Sequence, residues 1–374
     1  LNLLTRLPQL RVSSRSSSFA YKGEQINVRD VSEELGVSTL LEGSVRRAGD
    51  RVRITAQLID SATDSHLWSE TYDREMKDVF AIQDDIAQSI VNALKVTLTP
   101  RDRRALQYVA TSDAKAYDCY LRGRRFFYAM TKRAFHHAVK MYRQAIAEDP
   151  SYALAYAGIA DAHSFLYMYG DSTPANAGKA QEASNRAVEL DPDSAEAHAS
   201  RGIALSISKR YDEAKEEFEK AIALNPNYDS SYHNYSILLF WQLNQSEKAL
   251  EMANKAINLN PDNADLYLHK SDILSRLGRA AESKQLWEAM NKRYPDNANI
   301  QMQVAANLSY DTGRFDLGIK ALRRAHFLDP ENPQIDFIRT AYTQTIVKQK
   351  RFTIRYLVQH MTSLSSVYAL YQKY

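Results

Sequence analysis

Prolines recur along the chain at a nearly constant distance, and this spacing limits the possible folds more than any other feature. Six of the ten prolines form this series; each of the six follows an Asp, Asn or Tyr, and successive ones are 42, 34, 35, 34 and 35 residues apart. A period of about 34 residues is the length of one unit of two helices and a turn. Because proline lacks an N–H and clashes with the preceding turn, it ends the second helix of each unit. The prolines are Pro150, Pro192, Pro226, Pro261, Pro295 and Pro330.

The unit that ends at Pro226 shows the expected packing most clearly. Small residues at Gly202 and Ala214 let its two helices approach closely. The aromatic residues Tyr211 and Phe218 are predicted to fill the space between this helix pair and the next. The Asp or Asn that precedes each proline is predicted to cap the following helix.

One unit is longer than the others. The unit between Pro150 and Pro192 has eight residues more than the common period of 34. Its extra segment contains Tyr169-Gly170-Asp171-Ser172-Thr173-Pro174, and Gly, Pro and short polar residues are typical of turns. We therefore predict a longer loop between the two helices of this unit.

These positions resemble the tetratricopeptide repeat family from about Ala116 to Asn332. The resemblance implies a mainly α fold, in which about six helix-turn-helix repeats over residues 111–335 form an α-solenoid, a superhelix. It also implies that the first helix of each repeat lines a concave surface. Repeat proteins of this kind bind other proteins, so a protein or peptide partner is expected.

The predicted concave surface is apolar and aromatic, with few charges. Such a surface favours an extended segment or a helix that inserts apolar side chains. The Lys, Asn and Arg clamp with which some members grip acidic carboxyl-terminal peptides is missing. For Phe240 and Trp241 the alternative is packing against the neighbouring repeat. The predicted binding residues are Asp161, Phe165, Ile203, His233, Ile237, Phe240, Trp241, Leu268, Arg276, Met302 and Tyr310.

An alternating pattern before the repeats predicts a small α+β domain in residues 1–110. A short strand is predicted at Leu10–Val12, and Thr39–Arg46 and Arg51–Ile59 predict a hairpin. A third strand follows at His66–Tyr72, and Asp78–Leu98 has one apolar stripe typical of an amphipathic helix.

This region resembles the TolB amino-terminal-like domain. The resemblance rests on the runs Leu40–Arg47, Gly49–Asp60 and His66–Asp73. Such domains often precede tetratricopeptide repeats in bacterial signalling proteins, including adenylate cyclases and CadC-type regulators. The resemblance implies that the first strand of the domain is missing from this chain.

The last segment, residues 336–374, is basic. It contains no Asp or Glu after Asp336, while Arg339, Lys348 and Arg351 are among its cations. A capping helix or helices would close the exposed end of a solenoid. A basic amphipathic segment for an acidic partner or a membrane surface is the alternative.

No motif for catalysis or for a metal is present. The chain lacks a P-loop and a His-Glu-x-x-His pair, so neither cofactor nor metal is expected. Cys119 is either a reactive thiol or a buried, inert one. Arg122, Arg124 and Arg125 form either an anion site or a solvated helix face. A net charge of +3 provides no electrostatic basis for nucleic-acid binding.

Together these features predict a non-catalytic protein-protein interaction scaffold or sensory module of a bacterial signalling protein. It would bind a peptide or protein segment in the concave groove. Self-association is one alternative, and a small-ligand-sensing regulatory region of an adenylate cyclase or transcriptional regulator is another. No apolar run reaches the ~18 residues of a membrane span. Both the cytoplasmic and the periplasmic side of a membrane-anchored protein stay open as the location.

Overall fold

The computed structural model describes residues 27–75, 79–99 and 110–328, together with isolated positions before residue 27. Residues 50, 97, 170–171, 262, 297, 299, 303 and 306–314 are gaps within these ranges. The chain divides into two compact units, Leu1–Leu266 and Tyr267–Tyr374. The predicted domain boundaries at 110 and 335 stay predictions. The basic segment 336–374 lies outside the described residues.

A three-stranded antiparallel sheet of order β1-β2-β3 lies in the first part of the first unit. Ala48 pairs with Arg51 across the first turn, as the predicted hairpin requires, and the predicted third strand is also present. One short helix precedes the sheet and a longer one follows it. The elements are α1 Val28–Leu35, β1 Thr39–Ala48, β2 Arg51–Asp60, β3 Ser65–Glu75 and α2 Val79–Ala93.

Helix α2 covers one face of the sheet. Leu58 of β2 forms a core with Ile90 and Val91 of α2, and Leu7 from the start of the chain completes it. The prediction of a strand at Leu10–Val12 is wrong, because neither Leu10 nor Val12 is in a strand. Both side chains pack against this core instead, so their apolar character reflects burial rather than strand pairing.

Within each unit the helices follow one another along the chain in helix pairs, as the resemblance implied. Each pair consists of a first and a second helix, joined by a short turn. The helices are α3 Ala114–Phe127, α4 Lys132–Glu148, α5 Ala153–Tyr169, α6 Pro174–Leu190, α7 Ala195–Ile207, α8 Tyr211–Leu224, α9 Asp229–Trp241, α10 Ser246–Leu259, α11 Ala264–Arg276, α12 Ala280–Arg293 and α13 Phe315–Leu328.

Within the first unit the first helices of successive pairs lie on the inner side of the row. Helix α5 contacts both α3 and α7, and α7 contacts α9. The second helices pack instead against the first helices on either side of them. In the described part of this unit, successive second helices have few or no direct contacts with each other. Within the first unit, the first helices are therefore the more closely spaced layer.

An aromatic ring lying on a glycine fixes the spacing of the helices in two repeats. A Cβ added to Gly202 of α7 would lie 2.8 Å from the Phe218 ring of α8. The same ring stacks on Tyr235 of α9, with centroids 5.9 Å apart and an interplanar angle of 23°. The ring of Tyr142 in the first repeat lies on two glycines, since a Cβ at Gly123 of α3 or at Gly158 of α5 would be 2.5 or 2.6 Å from it. The predicted close approach at Gly202 and the filling role of Phe218 are thus confirmed.

The Asp or Asn before each of the first three of these prolines ends one helix rather than capping the next, which corrects the prediction. Asp149, Asp191 and Asn225 are the C-cap residues of α4, α6 and α8. Their side-chain oxygens accept hydrogen bonds from the backbone N–H two residues on, at 2.9, 3.2 and 3.0 Å. This is the local turn that Asp and Asn favour. A following proline disfavours helical backbone at the residue before it, so the helix stops there.

The connection in the long repeat lies where it is predicted, because α5 ends at Tyr169 and α6 begins at Pro174, but most of the eight extra residues lengthen these helices and not the loop. Helices α5 and α6 each have 17 residues, whereas α7 and α8 have 13 and 14. Only one of the extra residues falls in the turn between α5 and α6. Thr173 caps α6 and Pro174 begins it, and proline is well suited to a first helical position.

The segment at the start of the chain is also tied to the repeats. The side-chain amide of Asn227 donates hydrogen bonds to the backbone oxygens of Leu7 and Leu10, at 3.1 and 2.8 Å. Asn227 lies in the turn between α8 and α9, and Leu7 belongs to the core of the α+β part. Within the first unit, these bonds connect the α+β part to the third and fourth repeats.

The second unit uses a polar contact in its helix packing. Trp287 of α12 is buried, and its indole N–H donates to the Ser271 hydroxyl of α11 at 2.9 Å. Ser271 and Ser283 are also hydrogen-bonded to each other, at 2.7 Å. A buried indole N–H needs such a partner.

The glycine contact predicts opposite effects at two helical positions. Gly202→Ala should lower the free energy of unfolding by about 1–2 kcal/mol, because the added methyl group overpacks the Phe218 ring. Gly178→Ala is the matched control: nothing lies within 4 Å of its added Cβ, so alanine should stabilise helix α6 by about 0.5–1 kcal/mol. Urea denaturation measures both changes. A stabilised Gly202→Ala variant would contradict the packing argument.

Candidate functional site

Polar and charged side chains meet on the inner side of the first four repeats. Tyr120 and Arg124 come from α3, Asp161 from α5, Ser200 from α7 and Asp229 from the start of α9. Four helices from four successive repeats therefore contribute to one place. Electrostatic interactions connect these groups, which are called here the inner polar cluster. It also includes Tyr128, Glu196 and Tyr228.

Arg124 is the cation of the inner polar cluster. The pKa of its guanidinium is held well above the usual value, mainly by Tyr120, with Tyr128 and Tyr228 adding to the effect against the cost of burial. Its side chain also donates a hydrogen bond to the Tyr128 hydroxyl. Tyr120 is buried, and burial raises its pKa to about 12. Arg124 therefore remains charged in surroundings that are mostly phenolic.

Asp161 is the least satisfied member of the inner polar cluster. Burial raises the pKa of its carboxyl to about 7, although a hydrogen bond to Ser200 and the charge of Arg124 act in the opposite direction. Its Oδ1 atom is buried and has no hydrogen-bond partner within the described part of the chain. A buried oxygen without a partner costs about 1–3 kcal/mol, and more when the group is charged.

Tyr228 and Asp229 form the far side of the cluster, at the start of α9. Burial raises the pKa of both groups, and for Tyr228 the nearby Asp161 and Glu196 raise it further. The Asp229 carboxylate accepts a hydrogen bond from the Asn260 side chain at 2.8 Å, which opposes its shift. Asp229 thus has a partner inside the protein, in contrast to Asp161 Oδ1.

The chemistry available in this cluster is recognition of a hydrogen-bond donor. Three carboxyl groups, Asp161, Glu196 and Asp229, accompany one guanidinium group. Arg124 already contacts a tyrosine hydroxyl, whereas Asp161 Oδ1 is an open acceptor. A group that donates to Asp161 would satisfy this oxygen and favour the ionised carboxylate.

Phe165, one of the predicted binding residues, lies in an aromatic cluster between the first two repeats. Its ring centroid is 5.1 Å from that of Phe127, 5.8 Å from Phe135 and 5.7 Å from Tyr169. It lies one helical turn from Asp161 on α5, so the two residues share a face of that helix. Its side chain is half-buried.

The predicted residues of α7 and α9 differ in how much surface they offer. Phe240 is only 1% exposed and is therefore part of the core, which favours the alternative of packing against the neighbouring repeat. Trp241 is 53% exposed, with its ring centroid 4.7 Å from that of Phe240 in a T-shaped arrangement. His233 and Ile237 are half-buried on α9, and Ile203 is buried on α7.

The remaining predicted residues belong to the second unit or lie outside the description. Leu268 is half-buried and Arg276 is exposed, both on α11. Met302 is buried. Tyr310 lies outside the described residues.

Reasoning from the sequence missed Arg124, which was left open between an anion site and a solvated helix face. The helix register contains the information that locates it. Gly123 lies under Tyr142 as Gly202 lies under Phe218, so the two glycines are equivalent. Arg124 then follows Gly123 as the predicted groove residue Ile203 follows Gly202. Arg122 and Arg125 are exposed, as a solvated face requires.

Two further properties of the described residues concern ligands and membranes. Within the described ranges, no three His, Cys, Asp or Glu side chains are grouped so that they could hold a metal ion. None of the helices in those ranges combines the length and the apolar character needed to cross a bilayer.

Known proteins with similar sequences share only parts of this chain. A protein of Rhizobium meliloti (strain 1021) named "Putative adenylate cyclase 3" is 38% identical over 214 residues, which are 57% of this chain and 36% of that protein. Protein STIP1 homolog of Dictyostelium discoideum is 38% identical over 101 residues, or 27% of this chain and 18% of that protein. The chain thus spans about a third of the first relative and less of the second.

Parts of this chain are also similar to solved structures and to family models. The crystal structure of a thermophilic TPR protein of Thermus thermophilus has a TM-score of 0.44 and 16% identity, covering 52% of this chain and 98% of that one. Models of the tetratricopeptide repeat family match residues 195–228 and 217–251. These matches contain Pro226, the ring-on-glycine contact at Gly202 and the helix pair α7–α8. The chain therefore carries tetratricopeptide repeats, and the helices built from them form its solenoid.

Proposed function

We propose that the inner side of the first repeats binds a segment of a partner protein, and that Asp161 receives a basic side chain of that segment. In this role the chain is a non-catalytic interaction or sensory module. Tetratricopeptide repeats in general mediate contacts between proteins. The partner, its basic residue and the signalling role are the specific content of the proposal.

The observation that carries the proposal is the unpartnered Oδ1 atom of Asp161. A buried carboxylate oxygen is normally hydrogen-bonded, and an exception needs an explanation. Asp161 also has its pKa raised to about 7 by burial, so keeping it ionised at neutral pH is costly. Residues that lower the stability of the fold are typical of functional sites. A buried carboxylate without a partner therefore indicates a place where a ligand supplies the missing hydrogen bond.

The charge of the surroundings favours a basic group over an acidic one. The inner polar cluster contains the carboxyl groups of Asp161, Glu196 and Asp229 but only one cation, Arg124. Arg124 is already engaged with tyrosine hydroxyls. A lysine or arginine of a partner would restore the charge balance, and its hydrogen bond to a carboxylate would be charge-assisted.

Trp241 supplies an apolar anchor on the same inner layer of helices. It is the exposed aromatic residue at the end of α9, the helix that also begins with Asp229. Aromatic side chains that become buried in a complex often dominate the binding energy. An extended segment could therefore place a basic side chain at Asp161 and an apolar one at Trp241.

The similarity to the Rhizobium meliloti protein named "Putative adenylate cyclase 3" suggests a role in signalling. The shared 214 residues are 36% of that protein, so its name describes a longer chain than the matched part. We propose that this chain acts as the partner-sensing part of a bacterial signalling protein. Self-association and small-ligand sensing by residues 1–110 stay alternatives, and neither of them predicts a preference for basic peptides.

Replacing Asp161 should remove a preference for basic peptides. Extended peptides with one central Lys or Arg should bind the wild-type chain more tightly than the same peptides with Gln at that position. Asp161→Asn should lower the affinity for the basic peptides by about tenfold or more, because one charge-assisted hydrogen bond is lost. Fluorescence anisotropy on the full chain measures each affinity.

The matched control is Glu216→Gln, which removes an exposed carboxylate from the second helix α8. It should leave the preference unchanged. Peptides that bind equally well with Gln at the central position, or an Asp161→Asn variant that keeps the preference, would contradict the proposed role of Asp161.

The raised pKa of Asp161 also predicts how stability depends on pH. Its folded-state pKa of about 7 is above the usual value, so between about pH 4 and pH 7 the folded chain holds a proton that the unfolded chain has released. Stability from this group is thus present at low pH and is lost as the pH rises to about 7. Asp161→Asn should then be more stable than the wild type by roughly 1–3 kcal/mol at pH 8 and similar to it near pH 4. Urea denaturation at the two pH values tests this, and a variant that is less stable at pH 8 would refute it.

Phe240 and Trp241 should respond differently to truncation. Phe240→Ala should lower the free energy of unfolding by about 3–5 kcal/mol, because it empties a core position. Trp241→Ala should change stability by less than about 1 kcal/mol but weaken peptide binding. Denaturation and anisotropy separate the two effects. Unchanged binding by Trp241→Ala would remove this residue from the proposed surface.

A further inference from the structure

A second candidate site lies on the other side of helix α5. A pocket of about 420 Å³ is formed by α4, α5 and α6, the second helix of the first repeat and both helices of the next. This volume is within the range of roughly 300–1,000 Å³ that is typical of small-molecule sites. Its lining residues are His136, Val139, Lys140, Arg143, Gln144, Ala147, His163, Asn176 and Lys179.

The lining of this pocket is positively charged without compensation. Lys140, Arg143 and Lys179 are exposed cations, and no Asp or Glu lines the pocket. None of the ion pairs formed among the described residues involves any of the three. Lys140 and Arg143 are also neighbours on the same face of α4, where like charges repel. An anion in the pocket would relieve this repulsion.

His163 provides a second and independent indication of a ligand. Its side chain lines the pocket and is only 5% exposed. Its Nδ1 atom is 3.1 Å from Oδ1 of Asn176, and the neutral ring donates this hydrogen bond when Nδ1 carries the hydrogen. The Nε2 atom is buried and has no hydrogen-bond partner in the part of the chain that the structure describes.

We propose that this pocket binds the phosphoryl group of a small phosphorylated molecule, with Lys140, Arg143 and Lys179 neutralising its charge and His163 Nε2 forming the buried hydrogen bond. Several positive charges with mobile N–H donors match the several oxygens of a phosphoryl group. The volume leaves room for an organic group beside the phosphoryl oxygens. Val139 and Ala147 and the aliphatic stems of the cations provide apolar contacts for it.

Proton uptake should accompany binding, because the His163 ring is kept neutral in the empty pocket. Burial lowers the pKa of His163, and the charges of Lys179, Arg143 and His136 lower it further, although the hydrogen bond to Asn176 acts against them. A neutral ring with a proton on Nδ1 leaves only a lone pair on Nε2. A bound dianion would offset the surrounding positive charge, so Nε2 could take up a proton and donate it to a phosphoryl oxygen.

This site is separate from the proposed protein-binding surface. His163 and Asp161 are two residues apart on α5 and therefore point in nearly opposite directions, about 200° around the helix. The pocket is lined by the second helices α4 and α6, whereas the inner polar cluster is built on the first helices. Either proposal can fail without the other.

Isothermal titration calorimetry on the full chain tests the pocket with three probes at low ionic strength. Glycerol 3-phosphate represents a small organic phosphate, inorganic phosphate represents the free anion, and glycerol is the uncharged control. The double variant Lys140→Gln and Lys179→Gln should bind glycerol 3-phosphate at least tenfold more weakly than the wild type. The double variant Lys220→Gln and Lys248→Gln removes the same charge from exposed positions outside the pocket and should bind normally.

The outcomes identify the source of the phosphoryl group. Tighter binding of glycerol 3-phosphate than of inorganic phosphate supports an organic phosphate, and equal binding of the two supports the free anion. The absence of binding up to about 10 mM would overturn the proposal. Equal weakening by the two double variants would also overturn it, because charge alone would then explain the effect. Asp161→Asn should leave phosphate binding unchanged.

A second measurement tests His163 without relying on a variant of a buried residue. Inorganic sulfate stays dianionic between pH 6 and pH 8, so any pH dependence of its binding comes from the protein. The wild type should bind sulfate more tightly at pH 6 than at pH 8 and take up a proton, seen as a difference in heat between buffers. His163→Gln, if folded, should lose this dependence. Binding without proton uptake would refute the role of His163.

Discussion

The structure depends on aromatic rings that lie directly on glycines between neighbouring helices. Phe218 occupies the space that a Cβ at Gly202 would need and also stacks on Tyr235 of the next repeat. One ring therefore sets both the distance within a helix pair and the contact to the following pair. Tyr142 does the same between Gly123 and Gly158. Because each pair buries its apolar face against its neighbours, these contacts set how closely successive helices pack in the first unit.

The repeats were predictable because their packing is local and periodic. Proline stops, small residues and aromatic residues recur at fixed distances, so Gly202 and Phe218 could be assigned before the contact between them was known. Turn details were not predictable in the same way. Asp149 is equally suited to cap a helix or to form a local turn, and only the extended backbone before Pro150 decides between them. The long repeat shows the same limit, since a longer segment can extend a helix or a loop.

The binding surface was harder to predict, because exposure depends on packing between repeats and not on the register alone. Phe240 and Trp241 are adjacent in sequence, yet one is buried and the other exposed. Of the inner polar cluster, only Asp161 was among the predicted binding residues. Tyr120, Arg124 and Asp229 come from other repeats, and although the register of α3 locates Arg124, the register does not show that these residues meet. Their burial and mutual interactions exist only in the folded row, where Asp161 acquires an unusual pKa.

Helix α5 shows why a solenoid of this kind can carry two independent sites. A helix in the middle of the row contacts first helices on one side and second helices on the other. Residues two positions apart, Asp161 and His163, therefore lie in different surroundings, the first beside Ser200 and Arg124 and the second beside Lys179, Arg143 and His136. Burial shifts both toward the neutral form, which raises the pKa of the acid and lowers that of the base. Each retains one polar atom without a partner, so the same desolvation that weakens the fold at these positions leaves both able to gain from a ligand of the opposite charge.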